Sequence, residues 1–206
     1  MYTFYYAPGT CAQATLIALC EAGARFDARR VNLAGGEQRS DAYLALNPKG
    51  RVPVLVTPQG VLTETVALLL YIAQMHPDAR LAPLDDAFQL ARMQEFNSFL
   101  SSTVHISHAH RPRPMRWADD EAAQAAMRAK VPQNMRDHFA LIEQRYLGDG
   151  PWVMGEHYTV ADGYLFTMAG WLHSDSVDMA EFPRVAAHFA RMRERPAVQQ
   201  ALALAA

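Results

Sequence analysis

The pattern of the chain changes once, and that change limits the folds open to it. Through about residue 76, short strand-like runs alternate with helical ones; after Asp85 only helical periodicity remains. Tyr2-Thr3-Phe4-Tyr5-Tyr6 is aromatic and β-branched, which suits a strand. Gly9 breaks it, and Ala12–Ala22 reads as a helix with Leu16, Ile17, Leu19 and Cys20 inward. A second strand fits Phe26–Val31, and a short helix follows near Asp41–Leu46. Asn47-Pro48-Lys49-Gly50 is a turn by composition. Val52–Val56 and Val61–Thr63, joined by Thr57-Pro58-Gln59-Gly60, read as a hairpin, and Glu64–Met75 as a helix. The first part is therefore an α/β unit of order β-α-β-α-β-β-α.

The rest is all-α, with helices expected near 86–110, 119–147, 159–173, 182–194 and 196–204. Thr159-Val160-Ala161-Asp162 has the form of a capping box with Asp in the place of Glu. Two domains are expected, 1–78 and 86–206, joined by a linker at 79–85.

Composition narrows the partners. A net charge of -2 over 206 residues gives no global electrostatic case for nucleic acid or an anionic membrane surface. The first residues have no basic stretch ahead of an apolar run, and no segment is apolar for long enough to span a bilayer. A small-molecule or protein partner and a reducing cytoplasm are the expectation. Two cysteines make no disulfide framework; nine residues apart on one helix they point to near-opposite faces.

Four features can carry chemistry. Cys11 follows Pro8-Gly9-Thr10 just before a predicted helix, where amide donors and the positive end of the dipole favour a thiolate. A small residue filling a cap explains it as well, and the residues leave both readings open. Ala14 stands where a dithiol motif would need a second cysteine. Val52-Pro53 opens a strand: a cis bond would leave the Val52 backbone free for a peptide-like ligand, but a plain trans proline at an edge is the simpler reading. Thr63-Glu64-Thr65 sits where strand becomes helix, so amides and hydroxyls there could take a carboxylate while Glu64 takes an ammonium. Plain N-capping by Thr63 is the alternative.

The fourth feature is a polar stripe of Ser98, Ser101, His105 and His108 at helical spacing on the first long helix. Facing a cleft, it would suit proton transfer or a ligand thiolate; a partly exposed polar face is the plainer reading for His108 and His110. His105, His108 and His110 have no carboxylate or cysteine at ligand spacing among them, which argues against a metal site. Arg111, Arg113 and Arg116, among Pro112, Pro114 and Trp117, could attract an anionic co-substrate, but a solvated, helix-breaking loop accounts for them more simply.

Taken together and in order, these stretches resemble the glutathione transferase superfamily, and most closely its bacterial beta class. The resemblance runs through Phe4–Cys11, Asn47–Leu55, Leu62–Ala67 with Tyr71–Ala73, and Thr159–Phe166. It implies a thioredoxin-like first domain, a helical second domain, and glutathione as co-substrate. It also implies a homodimer with a small electrophile as second substrate. By residue, it implies a cis Pro53 with Val52 pairing to the cysteinyl unit, and Glu64 and Thr65 at the γ-glutamyl end. Cys11 would face the glutathione sulfur, with His105 directed at the same place, Tyr6 as a backup donor and Ser98 replacing a common asparagine. The Thr159–Asp162 box would be structural. A lysine common in the class is absent from Ala34-Gly35-Gly36, and Ile106 replaces a basic residue.

Conjugation of glutathione thiolate to an electrophile is the leading expectation. Glutathione-dependent disulfide exchange or peroxide reduction through Cys11 is the second. A ligand-binding protein that keeps the fold without catalysis is the third, motivated by the missing basic contacts.

Overall fold

A computed structural model describes residues 1–148 and 150–206. The first part is a four-stranded mixed sheet in the order β2-β1-β3-β4, built from β1 (Tyr2–Tyr6), β2 (Phe26–Arg30), β3 (Val54–Thr57) and β4 (Gly60–Thr63). β1 runs parallel to β2, and the crossover between them is α1 (Ala12–Glu21). β3 pairs antiparallel with both β1 and β4, so the predicted hairpin forms. Together with α2 (Asp41–Leu46) and α3 (Thr65–Met75), this is a thioredoxin-like βαβαββα unit.

The remainder is helical. α4 (Ala87–Phe99) passes without interruption through a π-helical turn (Leu100–Val104) into α5 (His105–Ala109). α6 (Glu121–Leu141) ends in a second π-turn (Ile142–Tyr146), and α7 (Val160–Ala169), α8 (Pro183–Glu194) and α9 (Pro196–Ala205) complete the bundle. The helix expected over 159–173 is thus shorter. Gly170–Asp175 leaves it as a series of turns, in which the Asp175 N–H bonds the carbonyls of both Trp171 and Leu172.

α1 joins the two halves, packing on α3, α7 and α9. Leu16, Ile17 and Leu19 are fully buried, and one continuous apolar cluster runs from Phe4 through them to Met93, Phe139 and Tyr164. Each such side chain contributes about 1.5–3 kcal/mol on burial. Gly163 lets α7 lie close: a Cβ there would stand 3.2 Å from Ile17 Cγ2. The start of α7 is fixed by Asp162, fully buried, whose carboxylate accepts from the Thr159 N–H (2.8 Å), the Val153 N–H (2.8 Å) and His188 Nε2 (3.0 Å). The box read from sequence therefore also ties a loop and α8 to this helix.

Among the described residues no helix is long and apolar enough to cross a membrane.

Candidate active site

A cavity of about 630 Å³ lies between the sheet-bearing part and the helical bundle. Its N-terminal wall is made where three connections end: the Gly9–Cys11 turn before α1, the Gly50–Pro53 turn before β3, and the step from β4 into α3. Its helical wall comes from the π-turn, α5, the loop after α5, and the aromatic residues Tyr164 and Trp171.

On the N-terminal wall the Val52–Pro53 bond is cis. The Val52 N–H makes none of the backbone hydrogen bonds among the described residues, and the Val52 carbonyl accepts only a long contact from Cys11 Sγ, at 3.8 Å. Glu64 rather than Thr63 caps α3, at φ 71°. A left-handed backbone at a non-glycine residue costs about 1–3 kcal/mol and collects at functional positions. Thr65 and Val66, whose amides are free donors of the first helical turn, line the cavity next to Glu64. Lys49 Nζ bonds the Thr63 hydroxyl (2.7 Å) and the Glu64 carboxylate, so Glu64 already carries a cation.

Cys11 sits at the N-cap of α1 and is 8% exposed. Burial pushes its thiol pKa up; a hydrogen bond from Thr65 and the charge of Arg113 pull the other way and are outweighed. The helix-start argument for a thiolate is therefore overridden by desolvation. The Thr10 hydroxyl also takes the Ala12 N–H (3.3 Å), using one of the donors that argument relied on.

On the helical wall, Ser101, Ser102, His105 and His108 line the cavity, and Ser98 does not. Ser98 is exposed, and its carbonyl accepts from the hydroxyls of Ser101 and Ser102. The π-turn is the reason. It adds a residue to the helical repeat, which rotates everything before it by about 100° relative to everything after it. The stripe drawn at constant spacing thus breaks between Ser98 and His105.

Burial, then the charges of His108, Arg113, Arg116 and Arg51, hold His105 down at about 4. At neutral pH it is an uncharged imidazole, with one N–H to give. His108 is not the loose polar face expected. It lies flat against Trp171, with ring centroids 4.2 Å apart, and its Nδ1 meets Asp175 Oδ2 at 2.8 Å. Asp175 is fully buried.

Tyr6 does not reach the cavity. Its hydroxyl donates to the Leu204 carbonyl in α9 at 2.6 Å, and its ring stacks on Phe4. The hydroxyl that the resemblance offered as a backup donor is spent on holding the C-terminal helix. Tyr164, read from sequence only as part of an apolar face, lines the cavity instead. Burial pushes its phenol pKa up, so it stays a donor.

The largest difference from the sequence reading is electrostatic. Arg39, Arg51, Arg113 and Arg116 all line the cavity, and Glu64 is the one acid among the lining residues described. Arg113 and Arg116 are not a solvated loop apart from the site. Gly50, at φ 59°, is what admits Arg39: a Cβ there would stand 2.9 Å from its Nη1. No group of three or more His, Cys, Asp or Glu side chains among the described residues could hold a metal ion.

Comparison with known proteins decides the family. Residues 1–74 match the model for the glutathione S-transferase N-terminal domain, and residues 109–203 the model for a glutathione S-transferase C-terminal domain. The chain belongs to the glutathione S-transferase family. It is 32% identical over 200 residues to glutathione S-transferase GstA of Escherichia coli O157:H7, covering 96% of both. A glutathione transferase homologue from Sulfitobacter, solved with bound glutathione, superposes with a TM-score of 0.95 at 40% identity, over 99% of this chain and 98% of that one. A bacterial beta-class glutathione S-transferase from Sphingomonas chungbukensis gives 0.86 at 35% identity, over 98% of each. Within the family, this glutathione S-transferase is most like the bacterial beta class.

Proposed function

We infer that this chain is a glutathione transferase, with glutathione as co-substrate, that joins the glutathione sulfur to a small electrophile. The observation that carries the reading is one cavity lined by Cys11, the Val52–Pro53 turn, Glu64, Thr65 and His105. We assign glutathione holding to a first domain, residues 1–78, and electrophile contact to a second, 86–206, with 79–85 as linker. The peptide backbone of glutathione pairs with Val52, its γ-glutamyl ammonium exchanges for Lys49 on Glu64, and the adjacent carboxylate sits on the Thr65 amide and hydroxyl. Arg39 and Arg51 take over from the lysine missing at Ala34–Gly36, which removes the main motive for a non-catalytic reading.

In the reaction the thiol proton leaves to solvent, the sulfur–carbon bond forms, and a leaving group such as chloride departs with its electron pair. The protein supplies position and donors to the sulfur. Cys11, kept as a thiol by burial, gives a hydrogen bond rather than attacking; this argues against disulfide exchange as its main reaction. His105, uncharged, gives one N–H. A reducing cytoplasm, where glutathione persists as the thiol, is the compartment this chemistry fits. A homodimer is the proposed assembly: Phe88, at the start of α4, is 70% exposed and offers an apolar side chain for a second copy to cover.

Retention on immobilised glutathione, together with conjugation of chlorodinitrobenzene, is the expected result. Failure of both would overturn the reading.

A further inference from the structure

The four cavity arginines exceed what glutathione needs. Among the described residues none of the Arg39, Arg51, Arg113 and Arg116 side chains has an ion-pair or hydrogen-bond partner, while the one lining carboxylate, Glu64, carries Lys49. They interact with one another across the two walls: burial, then Arg113, Arg51 and Arg39, make Arg116 hold its proton less tightly. Guanidiniums clustered this way repel and wait for anions. Glutathione, on the reading above, brings two carboxylates. The γ-glutamyl one goes to the start of α3, and the glycyl one is within the province of Arg39 and Arg51, which share the Gly50 turn on the N-terminal wall. Arg113 and Arg116 stand on the other wall, which Trp117 also lines. Arg113 lines the same cavity as Cys11 and His105, and its charge acts on both.

We propose that Arg113 and Arg116 form the anion-binding part of the electrophile site, and that the preferred second substrate is an unsaturated or aromatic electrophile bearing a carboxylate. The guanidiniums fix the carboxylate, the exposed indole of Trp117 covers the flat part, and the electrophilic carbon is left toward the sulfur. The sulfur–carbon bond then forms as above, with the carboxylate unchanged. The inference rests on the glutathione reading, and its test separates the two.

The experiment compares chlorodinitrobenzene with its carboxylated analogue, chlorodinitrobenzoate, at saturating glutathione, each kcat/KM divided by the rate constant of the uncatalysed reaction. A charge-assisted contact is expected to favour the carboxylate by about tenfold or more, and added salt should erode that preference. In the double variant Arg113→Gln/Arg116→Gln the normalised ratio should fall to about one, with the glutathione KM moved by less than about threefold. A wild-type ratio at or below one, or a ratio the double variant keeps, overturns the proposal. So does a double variant whose main defect is a raised glutathione KM, since the arginines would then serve glutathione. If conjugation fails with both electrophiles, the glutathione reading falls, and the anion site is read alone: dinitrobenzoate against dinitrobenzene, by quenching of tryptophan fluorescence. A tighter carboxylate, lost in the double variant, supports the site; equal binding overturns it.

Discussion

The two walls of the cavity are built by different means. The N-terminal wall presents backbone as well as side chains: the Val52 N–H and the first amides of α3 stand beside Glu64, Arg39 and Arg51. The helical wall presents long side chains, His105, His108, Arg113 and Arg116, whose direction depends on a π-turn and on a loop. Free backbone groups at a strand edge suit a ligand that is itself extended and peptide-like. Side chains can be exchanged one at a time, so the second wall is where we place substrate choice. The fold supports both through α1 and α7, which pack directly on each other.

The largest effect expected lies beneath the helical wall. Asp162→Ala leaves Val153 N–H, Thr159 N–H and His188 without their acceptor in a fully buried place. The expected loss is about 3–5 kcal/mol of stability by urea unfolding. A loss under about 1 kcal/mol would mean that the box is ornamental and the helical wall does not depend on it.

Next comes His105. Its folded value of about 4 lies below the ordinary 6.5, so the unfolded chain takes up the proton first as the pH falls. Stability should therefore decline between about pH 6.5 and pH 4, by about 3 kcal/mol in all, and His105→Gln should remove that part of the slope. Denaturant midpoints at several pH values check it, and an unchanged slope in the variant would assign the loss to other groups.

Glu64→Ala and His105→Gln separate the walls kinetically. The first should raise the glutathione KM by about tenfold or more with a smaller change in kcat; the second should lower kcat with the glutathione KM within about threefold. Interchanged results would break the division of labour. Cys11→Ser should have the smallest effect, keeping conjugation within about tenfold of the parent, because a hydroxyl can still donate. A loss of all conjugation would make Cys11 a reacting group instead.

The difference between the walls also explains what the sequence could reveal. On the N-terminal wall the places were legible because the signals are local: a strand running into Gly9-Thr10-Cys11, Val52-Pro53 at the head of a strand, Thr63-Glu64-Thr65 between strand and helix. Each signal lies within a few residues of the geometry it creates. The geometry itself was not legible, since the residues alone favoured a trans proline and left the cap to Thr63, where the structure has a cis bond and Glu64 at the N-cap. The bundle was legible in outline from periodicity, and the Thr159–Asp162 box from its spacing. The helical wall was legible only at His105 and at the Ser101 and His108 of its stripe. A fixed repeat joins Ser98 to His105, and nothing in Leu100–Val104 announces a π-turn that parts them. Tyr6 looked available because its competitor, the Leu204 carbonyl, is far along the chain. Asp175, 67 residues beyond His108, and the meeting of Arg39 and Arg51 with Arg113 and Arg116 are contacts of tertiary structure alone. A helix-start argument for Cys11 could not weigh burial, which opposes it.

The central claim is that this cavity holds glutathione and stabilises its sulfur as the anion without covalent capture. The most direct test is the ultraviolet thiolate absorbance of glutathione bound to the protein, titrated against pH. The account predicts saturable binding, a bound thiol pKa at least about one unit below that of a free cysteine-type thiol near 8.5, and full release of glutathione on dilution. A bound pKa equal to the free one, or glutathione retained until a reductant is added, would contradict it.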